Sequence, residues 1–477
     1  MRIQSIEING YRGFETPQTL RLAQPDGRSG SGITTIVGPN NAGKSSILEA
    51  ISYLVQPEPP SFSMGRRNQG SEYRISIKAT TDEGGHYSLH TVPSGGSETF
   101  WTAGAIPSDV IKTYVLPSRR YFDPFFGRGI IHRFHYLNAS APPSIRGAAL
   151  NRFTDRLFEI QKNKEAFDRV LAKVLSPLPD WTIELAESGQ HYLKFVTGNS
   201  SHSSDGLGEG IVSLFFIVDS LYDSEPNELI VIDEPELSLH PSLQKKLYQL
   251  FQEFAKDRQI LISTHSPYFV DFESIVNGAK ISRVHRIDGV SVISPLSDES
   301  VAAISRQLND LNNPHVFGLD MRETFFVDDG VILVEGQEDV VFFKGILKGL
   351  NIELRDEFLG WGVGGAEKMK AMAKILADLG FQKVAGILDG NRCGLAENLN
   401  REFPEYSFFV IPAEDVRTKR ARDAQPEVQG LVEHGQLREE YKEGVTQMFQ
   451  DIQEFFNRAP EVAELAVSLS STHRDNQ

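Results

Sequence analysis

The residues with the clearest chemical potential form the run Gly38-Pro39-Asn40-Asn41-Ala42-Gly43-Lys44-Ser45. An apolar run, Ile33 to Val37, leads into it, and a helix-like run from Ser46 leaves it. Strand, glycine-rich loop and helix in this order are what a phosphate-binding loop needs, because glycine lets backbone N–H groups close on phosphate oxygens at the helix start. We predict that Lys44 contacts the β- and γ-phosphates and that Ser45 ligates Mg²⁺. The predicted nucleotide contacts in this run are Gly38, Asn40, Asn41, Gly43, Lys44, Ser45 and Ser46.

Two further polar groups follow apolar runs and should lie beside this loop. The run Leu229 to Ile232 ends in Asp233 and Glu234. In a nucleotide-binding sheet such a strand end carries the Mg²⁺ carboxylate and the residue that orients attacking water, so we assign Asp233 to the metal and Glu234 to the water. Another apolar run ends just before His265. A lone histidine is more often structural, but after this strand a γ-phosphate sensor is the better interpretation.

Acidic residues also follow three apolar runs in the last third of the chain. Glu335 and Asp339 follow the first run, Asp389 the second and Glu414 the third. Helical runs alternate with these strands, which predicts a parallel sheet whose carboxyl ends meet at one edge. Converging carboxylates are stable together chiefly around a hard cation, so the pattern indicates Mg²⁺ or Mn²⁺ and phosphodiester chemistry. Any one of these acids alone would be explained as a loop residue or a helix cap.

The segment 117–152 is basic in a chain that is acidic overall. It holds six arginines and one acid, with aromatic residues between them. Arginine interleaved with aromatic residues suits phosphate contact and base stacking, so Arg119, Arg120, Arg128 and Arg133 are candidate nucleic-acid contacts. An equally good interpretation is that the aromatic residues belong to the core and that some arginines contact bound nucleotide or acidic groups within the fold.

Length, charge and cysteine content limit the class of protein. The 477 residues predict two to four domains. The formal net charge of −16 argues against broad attraction to nucleic acid or acidic membranes, so any nucleic-acid site must be a local patch. No apolar run is long enough to span a bilayer, and no signal-peptide core follows Met1. The single cysteine, Cys393, fits a reducing compartment, and we expect a cytoplasmic protein without a membrane partner.

The order of the motifs resembles a known group of ATPases. Gly-Lys-Ser at Lys44, Ser-Asp-Gly at Ser204, Asp-Glu-Pro-Glu-Leu-Ser-Leu-His-Pro from Asp233 and Ser-Thr-His-Ser-Pro around His265 are similar to the ABC-type heads of the RecF, SMC and OLD group. In that group two heads sandwich ATP. The resemblance implies that Ser204 and Gly206 contact nucleotide in trans, so ATP turnover would require a homodimer or a higher homo-oligomer.

The C-terminal part resembles a Toprim domain. Val-Glu-Gly at Glu335 and Asp-Gly-Asn at Asp389 are similar to its two acidic motifs. The resemblance implies that Glu335, Asp339, Asp389 and Glu414 ligate metal and that Glu335 and Asp389 are catalytic. Toprim domains usually carry a second aspartate where this chain has Asn391, a neutral and weaker ligand for which Glu338 or Asp415 could compensate.

An ABC-type head followed by a Toprim domain resembles the OLD family of ATP-regulated nucleases, which includes the Gabija nuclease and retron-associated effectors. We therefore expect an α/β protein: an ABC-type P-loop ATPase domain with a mixed sheet, an antiparallel β layer and a helical part, then a Toprim parallel-sheet domain. The expected division is 1–290 for the ATPase, with a helical or dimerisation part at about 140–180. A connecting segment at 291–328, a Toprim domain at 329–425 and a charged helical tail at 426–477 follow.

The resemblance implies an ATP-hydrolysing, metal-dependent DNA endonuclease or nickase that acts in antiphage defence. Its cofactors would be ATP and Mg²⁺ or Mn²⁺, and its partners DNA, other proteins or a retron RNA–DNA complex. Two alternatives remain open. One is a non-cleaving RecF- or SMC-like repair ATPase with a degenerate Toprim domain, which Asn391 favours. The other is a Toprim nuclease that acts on RNA.

Overall fold

The chain divides into two compact units in a computed structural model. The first unit is Met1–Asp328 with Asp378–Gly380, and the second is Asp329–Ala377 with Phe381–Gln477. The structure describes residues 1–54, 60–62, 66–71, 74–91, 97–102, 113–118, 120, 127–132, 153–197, 200–203, 208–308, 322, 324–326, 330–354, 357–419 and 428–458. No helix in these ranges is long and apolar enough to cross a bilayer.

The first unit combines three sheets with helices. Its described strands are β1 (Ile3–Asn9), β2 (Gln18–Arg21), β3 (Ile33–Val37), β4 (Ser76–Thr81), β5 (His86–Thr91), β6 (Thr99–Trp101), β7 (Thr113–Leu116), β8 (Asp180–Leu185), β9 (His191–Thr197), β10 (Ser200–Ser203), β11 (Leu229–Asp233), β12 (Gln259–Ser263), β13 (Lys280–Ile287) and β14 (Val290–Pro295). Its described α-helices are α1 (Lys44–Leu54), α2 (Phe153–Lys162), α3 (Lys164–Val174), α4 (Glu209–Tyr222), α5 (Pro241–Phe254), α6 (Phe272–Val276) and α7 (Asp298–Leu308).

The main sheet positions the predicted nucleotide site. Its order is β14-β13-β3-β12-β11-β7, and all neighbours are parallel except β13 and β14. Every residue of β3, β11 and β12 is buried, which is expected of parallel strands covered on both faces. Because β3, β12 and β11 are neighbours, the phosphate-binding loop, His265 and Asp233 emerge at one edge of the sheet.

Two antiparallel sheets complete the first unit. One has the order β2-β1-β4-β5-β6 and the other the order β10-β9-β8. In β4, alternate residues are buried, the pattern of a strand with one face on a core. The expected mixed sheet, antiparallel layer and helical part are thus all present, and the predicted fold class is confirmed.

The first residues of the segment 291–328 form part of the main sheet. Strand β14, which covers its first residues, is hydrogen-bonded to β13 from Ser282 to Ile287 and forms the edge of the main sheet. The reason is local: two alternating strands joined by a turn at Asp288-Gly289 make an antiparallel hairpin.

The second unit is built on a parallel sheet. Its described strands are β15 (Val331–Val334), β16 (Glu357–Phe358), β17 (Val384–Leu388), β18 (Ser407–Val410), β19 (Asp415–Arg417), β20 (Gly430–Glu433) and β21 (Gln436–Leu437). Its described α-helices are α8 (Gln337–Leu350), α9 (Ala366–Asp378), α10 (Cys393–Glu402) and α11 (Glu439–Asn457). The order β16-β15-β17-β18 is parallel throughout, and β19, β20 and β21 form a small separate sheet.

The last helix belongs to the core of this unit. Val445, Phe449 and Ile452 of α11 are fully buried in the same apolar cluster as Ile332 and Val334 of β15. Apolar residues at helical spacing on an otherwise charged helix explain this packing. Up to residue 458, therefore, the expected tail forms one wall of the second unit.

Candidate nucleotide and carboxylate sites

The loop after β3 encloses the side chain of Lys44. Its ammonium is buried and donates hydrogen bonds to the carbonyl oxygens of Gly38 and Pro39, both at 2.9 Å. Burial lowers the pKa of Lys44 to about 8, while the charges of Asp233 and Glu234 oppose that shift. A phosphate in the loop would compete with these two carbonyls for the same cation.

The backbone of the loop requires glycine at two places. Gly38 has φ +135°, and a Cβ atom there would lie 2.0 Å from the carbonyl oxygen of Val284. Gly43 has φ +120°. Strand β14 supports the loop from the side, because the hydroxyl of Ser291 donates to the carbonyl of Ala42 at 2.6 Å. Strand β14, most of which lies in the expected connecting segment, thus braces the phosphate-binding loop.

The other predicted contacts in the loop differ in exposure. Asn40 and Asn41 are exposed, and Asn41 has φ +62°. Ser45 is half-buried and Ser46 is buried in the first turn of α1. The exposed asparagines leave the loop surface open to a ligand.

Asp233 has the properties of a metal ligand. It is buried, and its Oδ1 atom has no hydrogen-bond partner in the part of the chain that the structure describes. Burial and the charge of Glu234 raise its pKa, and the nearby hydroxyls of Ser263 and Ser45 oppose the rise. A buried carboxylate oxygen without a donor, beside a serine hydroxyl, fits Mg²⁺.

Glu234 and His265 lie together at the same edge. Atom Nε2 of His265 is 3.9 Å from Oε1 of Glu234, and both side chains are partly exposed. Burial and the charge of Lys44 lower the pKa of His265, while Asp233 opposes the shift. The imidazole is therefore neutral at pH 7, so it can donate a hydrogen bond to phosphate without adding charge.

Sequence reasoning missed Glu236. Its Oε1 atom accepts the backbone N–H of His265 at 2.6 Å, and its Oε2 atom accepts the hydroxyl of Thr264 at 2.9 Å. Burial raises the pKa of Glu236, and these donors counter the rise. This carboxylate therefore positions the segment that carries His265. The available signal was a second glutamate two residues after Glu234.

Arg120 does not have the role predicted for it. It is buried, and its guanidinium donates to the hydroxyl of Ser213 at 2.8 Å and to the carbonyls of Pro117, Asp233 and Glu234 at 2.8, 2.7 and 2.9 Å. Burial lowers its pKa, and it remains protonated at neutral pH. A guanidinium engaged in this way cannot contact nucleic acid. The prediction is corrected: Arg120 braces the main chain of the acidic pair.

Of the remaining predicted arginine, serine and glycine contacts, only Arg128 lies within the described residues. Arg128 is exposed, as a nucleic-acid contact should be. Arg119, Arg133, Ser204 and Gly206 lie outside the described residues.

Gly210, just after the Ser-Asp-Gly motif at Ser204, packs against the loop that follows Asp233. A Cβ atom on Gly210 would lie 2.2 Å from the carbonyl oxygen of Ser238. The hydroxyl of Ser238 donates to Glu209 at 3.0 Å. The start of α4 thus contacts the loop that follows β11.

The ends of two adjacent strands carry the predicted carboxylates of the second unit. Glu335 follows β15 and accepts the backbone N–H of Asp389, which follows β17, at 3.0 Å. Asp339 lies in the first turn of α8 and accepts the backbone N–H of Gly336 at 2.8 Å. The structure therefore brings Glu335, Asp339 and Asp389 to one sheet edge, and Asp339 also caps its helix.

Burial and the repulsion between neighbouring carboxylates raise pKa values in this group. Burial raises the pKa of Asp389 to about 7, with added contributions from the charges of Glu335, Asp415 and Asp339, while Lys419 opposes them. Burial also raises the pKa of Asp339 to about 6, again with Glu335 and Asp415 contributing. We call Glu335, Asp339, Asp389 and Asp415 the carboxylate group.

Asp415, rather than Glu414, belongs to this group. Glu414 is exposed in the bend before β19, whereas Asp415 is the first residue of that strand. Asp415 is half-buried and accepts a hydrogen bond from Lys419. Asn391, at the position where Toprim domains carry an aspartate, is exposed.

The carboxylate group suits a hard cation in its chemistry. Among the described residues, no three acidic, histidine or cysteine side chains are close enough to form a ready metal-binding group. Mg²⁺ keeps several waters and needs only one or two carboxylates, so three ready ligands are not required. An all-oxygen donor set with raised pKa values fits Mg²⁺ or Mn²⁺.

Comparisons with known proteins support an ATPase in the first unit. Residues 1–91 match a family model described as "AAA ATPase domain", and residues 134–271 match one described as "AAA domain, putative AbiEii toxin, Type IV TA system". The "OLD nuclease" of Thermus scotoductus is 26% identical over 423 residues, which cover 72% of this chain and 76% of that protein. The resemblance to OLD-type ATPase nucleases is confirmed.

Two further matches cover smaller parts of this chain. The "Endonuclease GajA" of Bacillus cereus is 24% identical over 254 residues, which cover 49% of this chain and 41% of that protein. A crystal structure of an SMC head bound to the C-terminal winged-helix domain of ScpA is 18% identical, with a TM-score of 0.43; the match covers 63% of this chain and 99% of that chain. At such a score the structural likeness is partial.

Proposed function

We propose that this chain binds and hydrolyses ATP in its first unit and cuts DNA with Mg²⁺ or Mn²⁺ in its second. The observation that carries the proposal is the gathering of Glu335, Asp339 and Asp389 at the ends of β15 and β17, where burial, and then the like charges, raise the pKa of Asp389 to about 7. Partly buried acidic side chains gathered at one sheet edge are typical of sites that are completed by a cation.

In the nucleotide site, each residue has a role that its surroundings support. Lys44 holds the β- and γ-phosphates, and Ser45 with Asp233 holds Mg²⁺. Glu234 orients the attacking water, and neutral His265 contacts the γ-phosphate. We propose that Ser204 and Gly206 of a second copy close the site, so the active form is a homodimer or a higher homo-oligomer.

In the carboxylate group, Glu335 and Asp389 stand at adjacent strand ends and would take the catalytic positions, with Asp339 and Asp415 as further ligands. Bound metal would lower the pKa of a water and stabilise the leaving oxygen. Lys419, which donates to Asp415, offsets part of the negative charge of the group. A metal ligand must be deprotonated, so the affinity of this group for Mg²⁺ should rise as the pH rises towards 7.

The test is cleavage of supercoiled plasmid with Mg²⁺ or Mn²⁺, with and without ATP. We expect the wild type to nick or cut the plasmid and Glu335→Ala to abolish cutting while ATP hydrolysis continues. Lys44→Ala should abolish ATP hydrolysis, whereas Lys280→Ala, which removes an exposed lysine of the same unit, should not. An active ATPase that leaves DNA uncut at every metal concentration would refute the nuclease assignment and favour the non-cleaving alternative.

The same preparation should be incubated with total RNA, because an RNA nuclease would have the same carboxylates. We further propose a role in antiphage defence, with partner proteins or a retron RNA–DNA complex as the trigger. The resemblance to OLD-type nucleases supports this role, and protection of cells from phage that disappears in Glu335→Ala would test it.

A further inference from the structure

The loop between β16 and α9 is fastened to the carboxylate group. The backbone N–H groups of Gly364 and Gly365 donate to the carbonyl of Glu335 at 2.9 and 2.7 Å. Gly362 has φ +86°, and a Cβ atom there would lie 2.8 Å from the backbone of Gly336. Since only glycine fits this close approach, the loop has one position against the edge that carries the carboxylates.

Trp361 lies on this loop and is 52% exposed. The other two tryptophans of the chain are engaged: Trp181 is fully buried and donates to Asp168 at 2.8 Å, and Trp101 stacks on Tyr87 with ring centroids 4.5 Å apart. Around Trp361, the described residues provide no stacked ring. A large indole on a rigid loop, left in water, is a preformed contact surface.

Three cations among the described residues of the second unit are already paired with acids. Lys419 pairs with Asp415, Arg417 lies 3.1 Å from Glu338, and Arg392 lies 3.7 Å from Glu367. Attraction of phosphate by these side chains is therefore weakened, and the carboxylates themselves repel phosphate. A contact that does not depend on charge would solve this difficulty.

We propose that Trp361 is a stacking platform for an unstacked nucleobase of the substrate strand beside the carboxylate group. Every base has a π-face, so this contact would hold the strand without reading its sequence. Trp361 would then be a positioning residue, and its effect would fall on substrate binding rather than on the chemical step. The proposal rests on the proposed nuclease function, since it makes the strand being cut the occupant of this surface.

The first measurement compares cleavage kinetics of four proteins: wild type, Trp361→Ala, Trp361→Phe and Val341→Ala. Val341 is 56% exposed on α8 of the same unit, so its replacement controls for a general loss of apolar surface. We expect Trp361→Ala to raise KM at least about fivefold with little change in kcat, because one stacked base contributes about that factor or more. Trp361→Phe should recover most of the loss, and Val341→Ala should match the wild type.

The second measurement is equilibrium binding by fluorescence anisotropy, with Ca²⁺ in place of Mg²⁺. The probes are a labelled thymidine strand and an abasic deoxyribose-phosphate strand of equal length. Stacking predicts that the wild type binds the thymidine strand more tightly and that Trp361→Ala binds both strands equally. The melting curve first shows whether Trp361→Ala is folded. If the folded variant keeps the full preference for bases, the proposal is wrong.

The two measurements separate this proposal from the nuclease function. A wild type that binds with a base preference lost in Trp361→Ala, yet never cuts, would refute the nuclease function and leave the stacking contact standing. A wild type that cuts with a KM unchanged in Trp361→Ala would refute the stacking contact alone. Self-association lost in Trp361→Ala, with DNA binding unchanged, would make the indole an interface between copies and also refute the proposal.

Discussion

Both sites place acids at the carboxyl ends of adjacent parallel strands, yet they hold those acids differently. In the first unit, Arg120 binds the main chain of Asp233 and Glu234, and Glu236 is satisfied by two donors. In the second unit, the strongest influences on Asp389 after burial are the like charges of its neighbours. The pKa of Asp233 is also raised by burial and by the charge of Glu234, so the two sites differ in the bracing of the main chain rather than in the electrostatics of the acids.

The largest effect on this contrast should come from removing the brace. Arg120→Met leaves the carbonyls of Asp233 and Glu234 without their buried donor, so we expect the free energy of unfolding to fall by about 2 to 4 kcal/mol. The rate of ATP hydrolysis should also fall. Urea unfolding would measure the loss of stability, and phosphate release would measure the loss of hydrolysis. Arg128→Met, at an exposed position, should change stability by less than about 0.5 kcal/mol. Equal losses in the two variants would contradict the brace.

An intermediate effect is expected from Glu236→Gln. An amide offers one acceptor where the carboxylate offers two, so the His265 N–H or the Thr264 hydroxyl loses its partner. We expect kcat for ATP hydrolysis to fall about tenfold while nucleotide affinity changes little, as for other groups that orient a catalytic ligand. Glu253→Gln, an exposed change in α5, is the control. A drop in affinity with kcat intact would contradict a positioning role.

The smallest effect is a pH dependence confined to the second unit. The pKa of Asp389 is raised to about 7 in the folded protein, so without metal its contribution favours folding at low pH and is lost as pH rises towards 7. We expect the melting temperature of the metal-free protein to be a few degrees higher at pH 6 than at pH 8. Mg²⁺ should raise it more at pH 8, where Asp389 is ionised.

The control for this pH effect is Asp389→Asn, which removes the titrating group. Its melting temperature should vary less with pH than that of the wild type, and its response to Mg²⁺ should be weaker. A wild type that melts at the same temperature at pH 6 and pH 8 without metal would show that the pKa of Asp389 is not raised in the folded protein.

The parallel architecture of both sites was predictable because buried strands have uninterrupted apolar runs that end in polar residues. Asp233, His265, Glu335 and Asp389 each follow such a run, so topology alone brings them to an edge. What could not be predicted was the direction of a side chain beyond a strand. Glu414 and Asp415 are neighbours in sequence, and only the path of the chain decides which one faces Asp389.

Arg120 shows a second limit of sequence reasoning. Arginine near aromatic residues suits nucleic acid, but burial depends on residues far along the chain, here Ser213 and Asp233. Composition cannot distinguish a guanidinium that meets phosphate from one that satisfies carbonyls. Most of β14 fell in the expected connecting segment for the same reason, because β3, the strand next to its hairpin partner β13, lies far earlier in the sequence.

The packing of α11 against β15 has a consequence for how the second unit comes into being on the ribosome. The strand that opens this unit is made early, and the helix that covers it is made only after most of the unit has been translated. Until then Ile332 and Val334 lack one wall of their core, so the unit cannot fold in stages from its start. A nascent chain would therefore carry a folded first unit and an unfinished second one, and the carboxylates would meet only late in synthesis.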